Sequence, residues 1–116
     1  METLKTNREF ERVFRKGKSA GHRDLVVLGR KGRSKKVRVG FCISRKAGKA
    51  VARNKLRRRL KEIIREVESD LRPRWEIVIV AKETTGGLNY QALRKLTRKL
   101  LTRLGARASQ DESQSK

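Results

Sequence analysis

The chain reads as one small α+β domain. Three segments space their apolar residues as helices do, three carry strand patterning, and 116 residues can bury one modest core but not two.

The first helix is announced by Thr6-Asn7-Arg8-Glu9, a Thr-x-x-Glu capping box whose side chains satisfy backbone N–H groups left without partners at a helix start. Phe10, Val13 and Phe14 follow at i, i+3 and i+4, and Gly17 ends the segment. Asp24 to Arg30 is a brief β-branched run. The polar turn Lys31 to Lys36 leads to a segment where Val37, Val39, Phe41 and Ile43 alternate with Arg38, Gly40, Cys42 and Ser44. These two strands and their turn predict a hairpin. A second helix is expected from about Ala50 to Ser69, and after the break at Pro73 comes a strand that is apolar on both faces and therefore central. The last helix places Leu93, Leu96, Leu100 and Leu104 on one stripe and stops at Gly105. Residues 1–104 form the expected domain, and residues 105–116 are expected as a disordered polar tail with nothing to bury.

Thirty-three Lys and Arg against twelve Asp and Glu give a net charge of +21 and a pI near 11.5. Such a charge opposes compaction and favours a polyanionic partner, nucleic acid first among them. A basic membrane-surface binder is the rival. No apolar run nears the roughly 20 residues of a spanning helix, and the N-terminus lacks the apolar segment of a signal peptide, so a cytoplasmic protein without a membrane partner is expected. Cys42 is the only cysteine, which leaves no internal disulfide and no thiolate metal site.

The second helix concentrates the charge. Leu56, Leu60, Ile63, Ile64, Val67 and Leu71 fall on about a third of its circumference, while Asn54, Arg57, Arg58, Lys61 and Arg65 gather on a neighbouring face. From Arg45 to Arg65 there are ten Lys or Arg and one acid, Glu62, a net of +9 (10 minus 1). A solvated charged face normally mixes signs to gain pairs one turn apart, and this one does not. Binding of phosphates with release of counterions would supply what internal pairing cannot.

The run Gly48 to Glu62, "GKAVARNKLRRRLKE", resembles the Arg-Asn-Arg signature helix of the bacterial ribonuclease P protein component, the small basic partner of a catalytic RNA that trims the 5′ leader from precursor tRNA. "REFERVFRKGKS", "VRVGFCISRKAGKAVARN" and "IVIVAKE" match that family in order and spacing, so the resemblance covers about Leu4 to Leu104. Two positions depart from it. Lys55 stands where the family often has Arg, keeping the charge but losing the planar fork, and Leu28 stands where some relatives place an aromatic. The resemblance implies a sandwich of three helices on a four-stranded, mainly antiparallel sheet in the order αβββαβα, with a left-handed crossover into the strand at Ile77 to Ala81. The additional strand would come from the region of Gly21 to Ser44.

The resemblance also implies two RNA surfaces. Arg53, Asn54, Lys55, Arg57, Arg58 and Lys61 carry over as contacts to the catalytic RNA, with Asn54 also associated with a metal ion; Arg53 and Asn54 have capping or loop-bracing as their alternative use. The leader of precursor tRNA is implied to lie in a cleft between the first helix and the sheet. There Phe10 and Phe14 would stack on bases, and Arg45, Lys49 and Lys82 would hold the backbone. Read from spacing alone, the Phe, Val, Phe stripe is the buried face of a helix. Trp75 and Tyr90 read as packing residues, and His22 and Cys42 have no partners at catalytic or metal-ligand spacing.

The acids are few and scattered, so no carboxylate-held metal site for hydrolysis is expected in the chain. The resemblance implies catalysis by the RNA, Mg2+ bound mainly by RNA and substrate, and no further protein partner. A structural ribosomal protein, an autonomous nuclease and a nonspecific DNA-compacting protein are the competing classes.

Overall fold

The computed structural model describes residues 2–107. Its elements run β1 (Glu2–Thr3), α1 (Asn7–Lys16), β2 (Lys18–Gly21), β3 (Leu25–Lys31), β4 (Arg38–Ile43), α2 (Ala50–Val67), β5 (Trp75–Ala81) and α3 (Tyr90–Leu104). The capping box forms as its residues dictate: Thr6 Oγ1 accepts from Glu9 N at 3.2 Å, and Glu9 Oε1 accepts from Thr6 N at 3.0 Å. At the other end of the chain, Asn89 caps α3 by accepting from Ala92 N at 2.8 Å. Gly105 closes α3 at φ 92, a left-handed conformation that glycine adopts without a Cβ penalty.

The sheet has five strands in the order β1-β4-β5-β3-β2, with β1–β4 and β4–β5 parallel and β2–β3 and β3–β5 antiparallel. It is therefore mixed, not four-stranded and mainly antiparallel. The order αβββαβα is preserved after β1. That strand is two exposed residues whose pairing with Arg38 and Val39 leaves no pattern in the sequence. The other strand without a clear sequence signal, β2, lies at Lys18–Gly21, almost wholly before the region expected to supply it.

The expected hairpin of β3 and β4 does not form. β5 lies between them, antiparallel to β3 along Leu25–Lys31 and parallel to β4 along Arg38–Ile43. The two strands run in the opposed directions of a hairpin, but the polar loop bridges two strand spacings, about 10 Å, and leaves a slot. β5 fills it because both its faces are apolar: Ile77, Ile79 and Ala81 turn to one core cluster, Val78 and Val80 to the other. The strand's central place is thus as expected.

α2 and α3 cover the first of these faces, burying Leu56, Leu60, Ile63, Ile64, Val67, Leu93, Leu100 and Leu104 against Leu25, Val27, Val39, Ile77 and Ile79. α2 ends at Val67, two residues before expectation, and passes into a 3-10 turn at Glu68–Asp70. On α3, Leu96 is only half-buried and Leu101 takes a core place. Thr97 is buried too, its hydroxyl donating to the Leu93 carbonyl at 2.7 Å. α1 covers part of the opposite face through Val13, which packs with Leu4 and Val78. The packed chain also runs past Leu104: Ala106 is buried, its carbonyl accepts from Arg72 N at 2.8 Å, and Arg107 bridges to Leu71. The remainder of the expected tail, residues 108–116, lies outside the described residues.

Candidate nucleic-acid interface

α2 turns its apolar arc inward, and Asn54, Lys55, Arg57, Arg58 and Lys61 are exposed as expected. They do not share one face. At about 100 degrees per residue, Asn54, Arg57, Arg58, Lys61 and Arg65 line one flank of the buried arc, while Lys55 and Arg59 fall on the other. There Lys55 and Arg59 line a cavity of about 340 Å3 with Glu83, Gly86 and Gly87. Among the described residues, no carboxylate pairs with Arg53, Lys55, Arg57, Arg58 or Lys61. The acid of this helix that does pair, Glu66, is turned to α3, accepting from Arg94 Nε at 2.8 Å and lying 3.7 Å from Arg98. The Arg94 hydrogen bond lowers the Glu66 carboxyl below its ordinary range.

Arg53 and Asn54 do not cap the helix. The N-cap is Lys49, without a side-chain bond, so Asn54 already sits in the second turn with its amide exposed. Arg53 is half-buried, and its Nε is buried with no hydrogen-bond partner. A buried guanidinium N–H without an acceptor is an open demand for one.

The second surface begins where α1 leaves the sheet uncovered. Phe10, Leu28, Cys42 and Val80 fringe the small core of Leu4, Val13 and Val78. Phe10 is half-buried and settles over Gly40, where a Cβ would stand 2.5 Å from the ring's Cζ. Gly40 is therefore the residue that admits the ring to the sheet. Phe14, one turn on, is 46% exposed. The stripe is thus split, Val13 fully in the core, Phe10 at its margin and Phe14 largely outside it.

Continuing from Cys42 and Val80, a cavity of about 460 Å3 is lined by Ser44, Lys46, Lys82 and Glu83. Lys82 lines this cavity, its backbone N–H donating to Thr85 Oγ1 at 2.8 Å and to the Asp24 carbonyl at 3.4 Å. Arg45 and Lys49 are exposed at the neighbouring turn and helix start but do not line this cavity. Lys46 does, and sequence reasoning passed over it. Nothing in a run of adjacent cations says which one turns inward. Burial pushes the Cys42 thiol up, opposed by the charge of Arg57.

His22 is exposed, with Nδ1 accepting from Asp24 N at 3.2 Å, and Trp75 and Tyr90 pack against the main core. Among the described residues, no three His, Cys, Asp or Glu side chains gather as a metal site. No helix among them is long and apolar enough to cross a membrane.

A small mixed α+β domain with an unpaired cationic helix beside a half-aromatic trough is, by class, a polyanion-binding protein. The family model described as Ribonuclease P matches residues 1–105, and the chain belongs to that family, the protein subunits of the ribonuclease P endoribonuclease. It is 35% identical over 103 residues to the ribonuclease P protein component of Oceanobacillus iheyensis, covering 88% of this chain and 85% of that one. The corresponding protein of Listeria monocytogenes serotype 4b is 35% identical over 94 residues, covering 79% of this chain and 78% of its own. The solved RNase P protein from Thermotoga maritima shares the fold with a TM-score of 0.80 at 32% identity, covering 89% of this chain and 97% of that one. Membership of this family sets aside the ribosomal-protein class.

Proposed function

We propose that the chain joins a catalytic RNA through the cationic flank of α2 and holds the 5′ leader of precursor tRNA in the trough beside α1, while the RNA performs the cleavage in the cytoplasm. The observation that carries this reading is the adjacency of the two surfaces: Asn54, Arg57, Arg58 and Lys61 stand exposed on α2, and the turn Arg45–Ala47 that leads into this helix places Lys46 in the lining of the trough's end. Phosphates suit the first surface and unstacked bases the second. Arg53 would meet its missing acceptor in the catalytic RNA. Phe14 offers a ring face, with Phe10 behind it, and Lys46 and Lys82 stand over the trough's end to take the leader's backbone, joined by the exposed Arg45 and Lys49.

Mg2+ favours octahedral oxygen ligation and retains several waters. Asn54 offers one exposed amide oxygen, enough for a single ligand, so the RNA and substrate phosphates would hold most of the metal. The family resemblance further assigns a left-handed crossover to the parallel β4–α2–β5 unit, which a crystal structure of the chain would check.

The deciding experiment is cleavage of precursor tRNA at low magnesium by the cognate RNA with and without the purified chain. The rate rises with protein if the reading holds. A rate unmoved by protein sinks it, and cleavage by protein alone would make the chain an autonomous nuclease.

A further inference from the structure

α1 divides the sheet face it covers into two flanks. Phe10 lies over Gly40, opposite Val78, and Cys42 and Val80 extend the same small core toward the Ala81 end of β5. At the Trp75 end the residues are charged: Arg30, Glu76 and Arg38 lie side by side on β3, β5 and β4, and Glu9 of α1 pairs with Arg38. On this second flank Arg12 and Lys16, one turn apart, meet Arg30 of β3 and Arg33 of the β3–β4 loop around a cavity of about 290 Å3.

Arg30, one of the four residues lining this cavity, is fixed from behind. Arg30 Nη1 lies 3.4 Å from Glu76 Oε1, and that carboxylate is buried, with its other oxygen 3.8 Å from Arg38. Gly32 closes over it so tightly that a Cβ there would stand 2.8 Å from the carboxyl carbon. Glu76 thereby fixes Arg30 and is already shared between two guanidinium groups. Arg12, Lys16 and Arg33 have no acid partner among the described residues. The dipole of α1 accounts for a cation at Lys16, in its last turn, but not for Arg12 or Arg33. Three cations without an acid partner, beside an Arg30 whose carboxylate partner is shared with Arg38, repel around one small cavity unless an anion enters, and an arginine fork suits a phosphate.

We infer that the cavity of Arg12, Lys16, Arg30 and Arg33 is a further phosphodiester site, so that RNA backbone engages both flanks of α1. This rests on the RNA-binding reading above and leaves the source of the phosphate, catalytic RNA or leader, to be distinguished. The test uses the full chain with Arg12→Gln, Lys16→Gln and Arg33→Gln combined; Arg30 is kept, because its loss would strand the buried Glu76. Affinity is measured against salt for the catalytic RNA alone, and then for the assembled particle with precursor tRNA carrying a long leader or none. The log–log slope should fall by roughly two to three, at about 0.7 to 0.9 per lost contact.

A fall in the first measurement assigns the phosphate to the catalytic RNA. A fall only with the long leader assigns it to substrate. An unchanged slope in both overturns the site. So does an equal fall on neutralising Lys95, Lys99 and Arg103 of α3, which would report net charge alone. Melting at low salt checks the fold of the triple variant, which should be at least as stable as wild type with three like charges removed. A wild-type chain that binds neither RNA would bring down the parent reading, whereas normal wild-type binding with an indifferent triple variant brings down only this site.

Discussion

Glu9 serves both the helix cap and Arg38, and acid releases it from them. The Thr6 backbone N–H is the main cause holding its carboxyl down to about 2 from an ordinary 4.5; the Lys5 N–H, the Thr6 hydroxyl and the Arg38 charge add to it against the opposing effect of burial. A depressed folded-state value means that the stabilisation is complete above pH 4.5 and is lost as pH falls through about 2. The urea midpoint of wild type should therefore drop more steeply across that window than that of Glu9→Gln; parallel curves would show the cap to be indifferent to charge. Thr6→Ala should cost about 1 kcal/mol at neutral pH, read from the same unfolding curves. The two phenylalanines separate packing from binding. Phe10→Ala should destabilise on the order of 2 kcal/mol by emptying the place over Gly40, whereas Phe14→Ala, at a half-exposed position, should cost under about 1 kcal/mol. Phe14→Ala should instead weaken binding of leader-bearing precursor more than of mature tRNA. Equal losses for both would make its ring mere packing.

At the scale of elements, α2 is the clearest. Its buried arc is chosen by apolar spacing, and what remains exposed is cationic because hardly any acids are interspersed. Arg57→Ala with Arg58→Ala should leave thermal stability near wild type and reduce the salt slope of catalytic-RNA binding by roughly two. A stability loss with the slope intact would place the pair in the fold and not the interface. The helices were legible because cap, stripe and stop all lie within each segment, as in Thr6, Val13 and Gly17. The sheet was less so. The alternation along Val37 to Ser44 gives the faces of β4 but not its neighbour, and the insertion of β5 depends on residues more than 30 positions away. β1 has two residues and no period at all, and Ala106 packs through backbone bonds that composition does not encode. For the site, the charge of α2 and the face shared by Asn54, Arg57, Arg58, Lys61 and Arg65 were plain from spacing, but the cavity that Lys55 and Arg59 line with Glu83 depends on how the segment after β5 is seated against the helix. Lys46 and Gly40 became visible only through the cavity one lines and the ring the other admits.

The whole molecule carries +21, and most of its cations have no acid to answer them. Self-repulsion should make the isolated chain fragile at low ionic strength. The unfolding midpoint should rise as salt is raised from about 10 mM, where screening reaches roughly 30 Å, to about 150 mM, where it reaches roughly 8 Å. A flat response would show that the charges lie too far apart to act on one another. The order of the sheet has a consequence for how the chain is made. Every long pairing involves β5, and without it the sheet's remaining pieces are the small β2–β3 hairpin and a two-residue contact between β1 and β4. A ribosome must therefore release the residues through Ala81 before the scaffold can zip shut, and until then the polycationic stretch that becomes α2 is already outside, unsupported and surrounded by cellular polyanions.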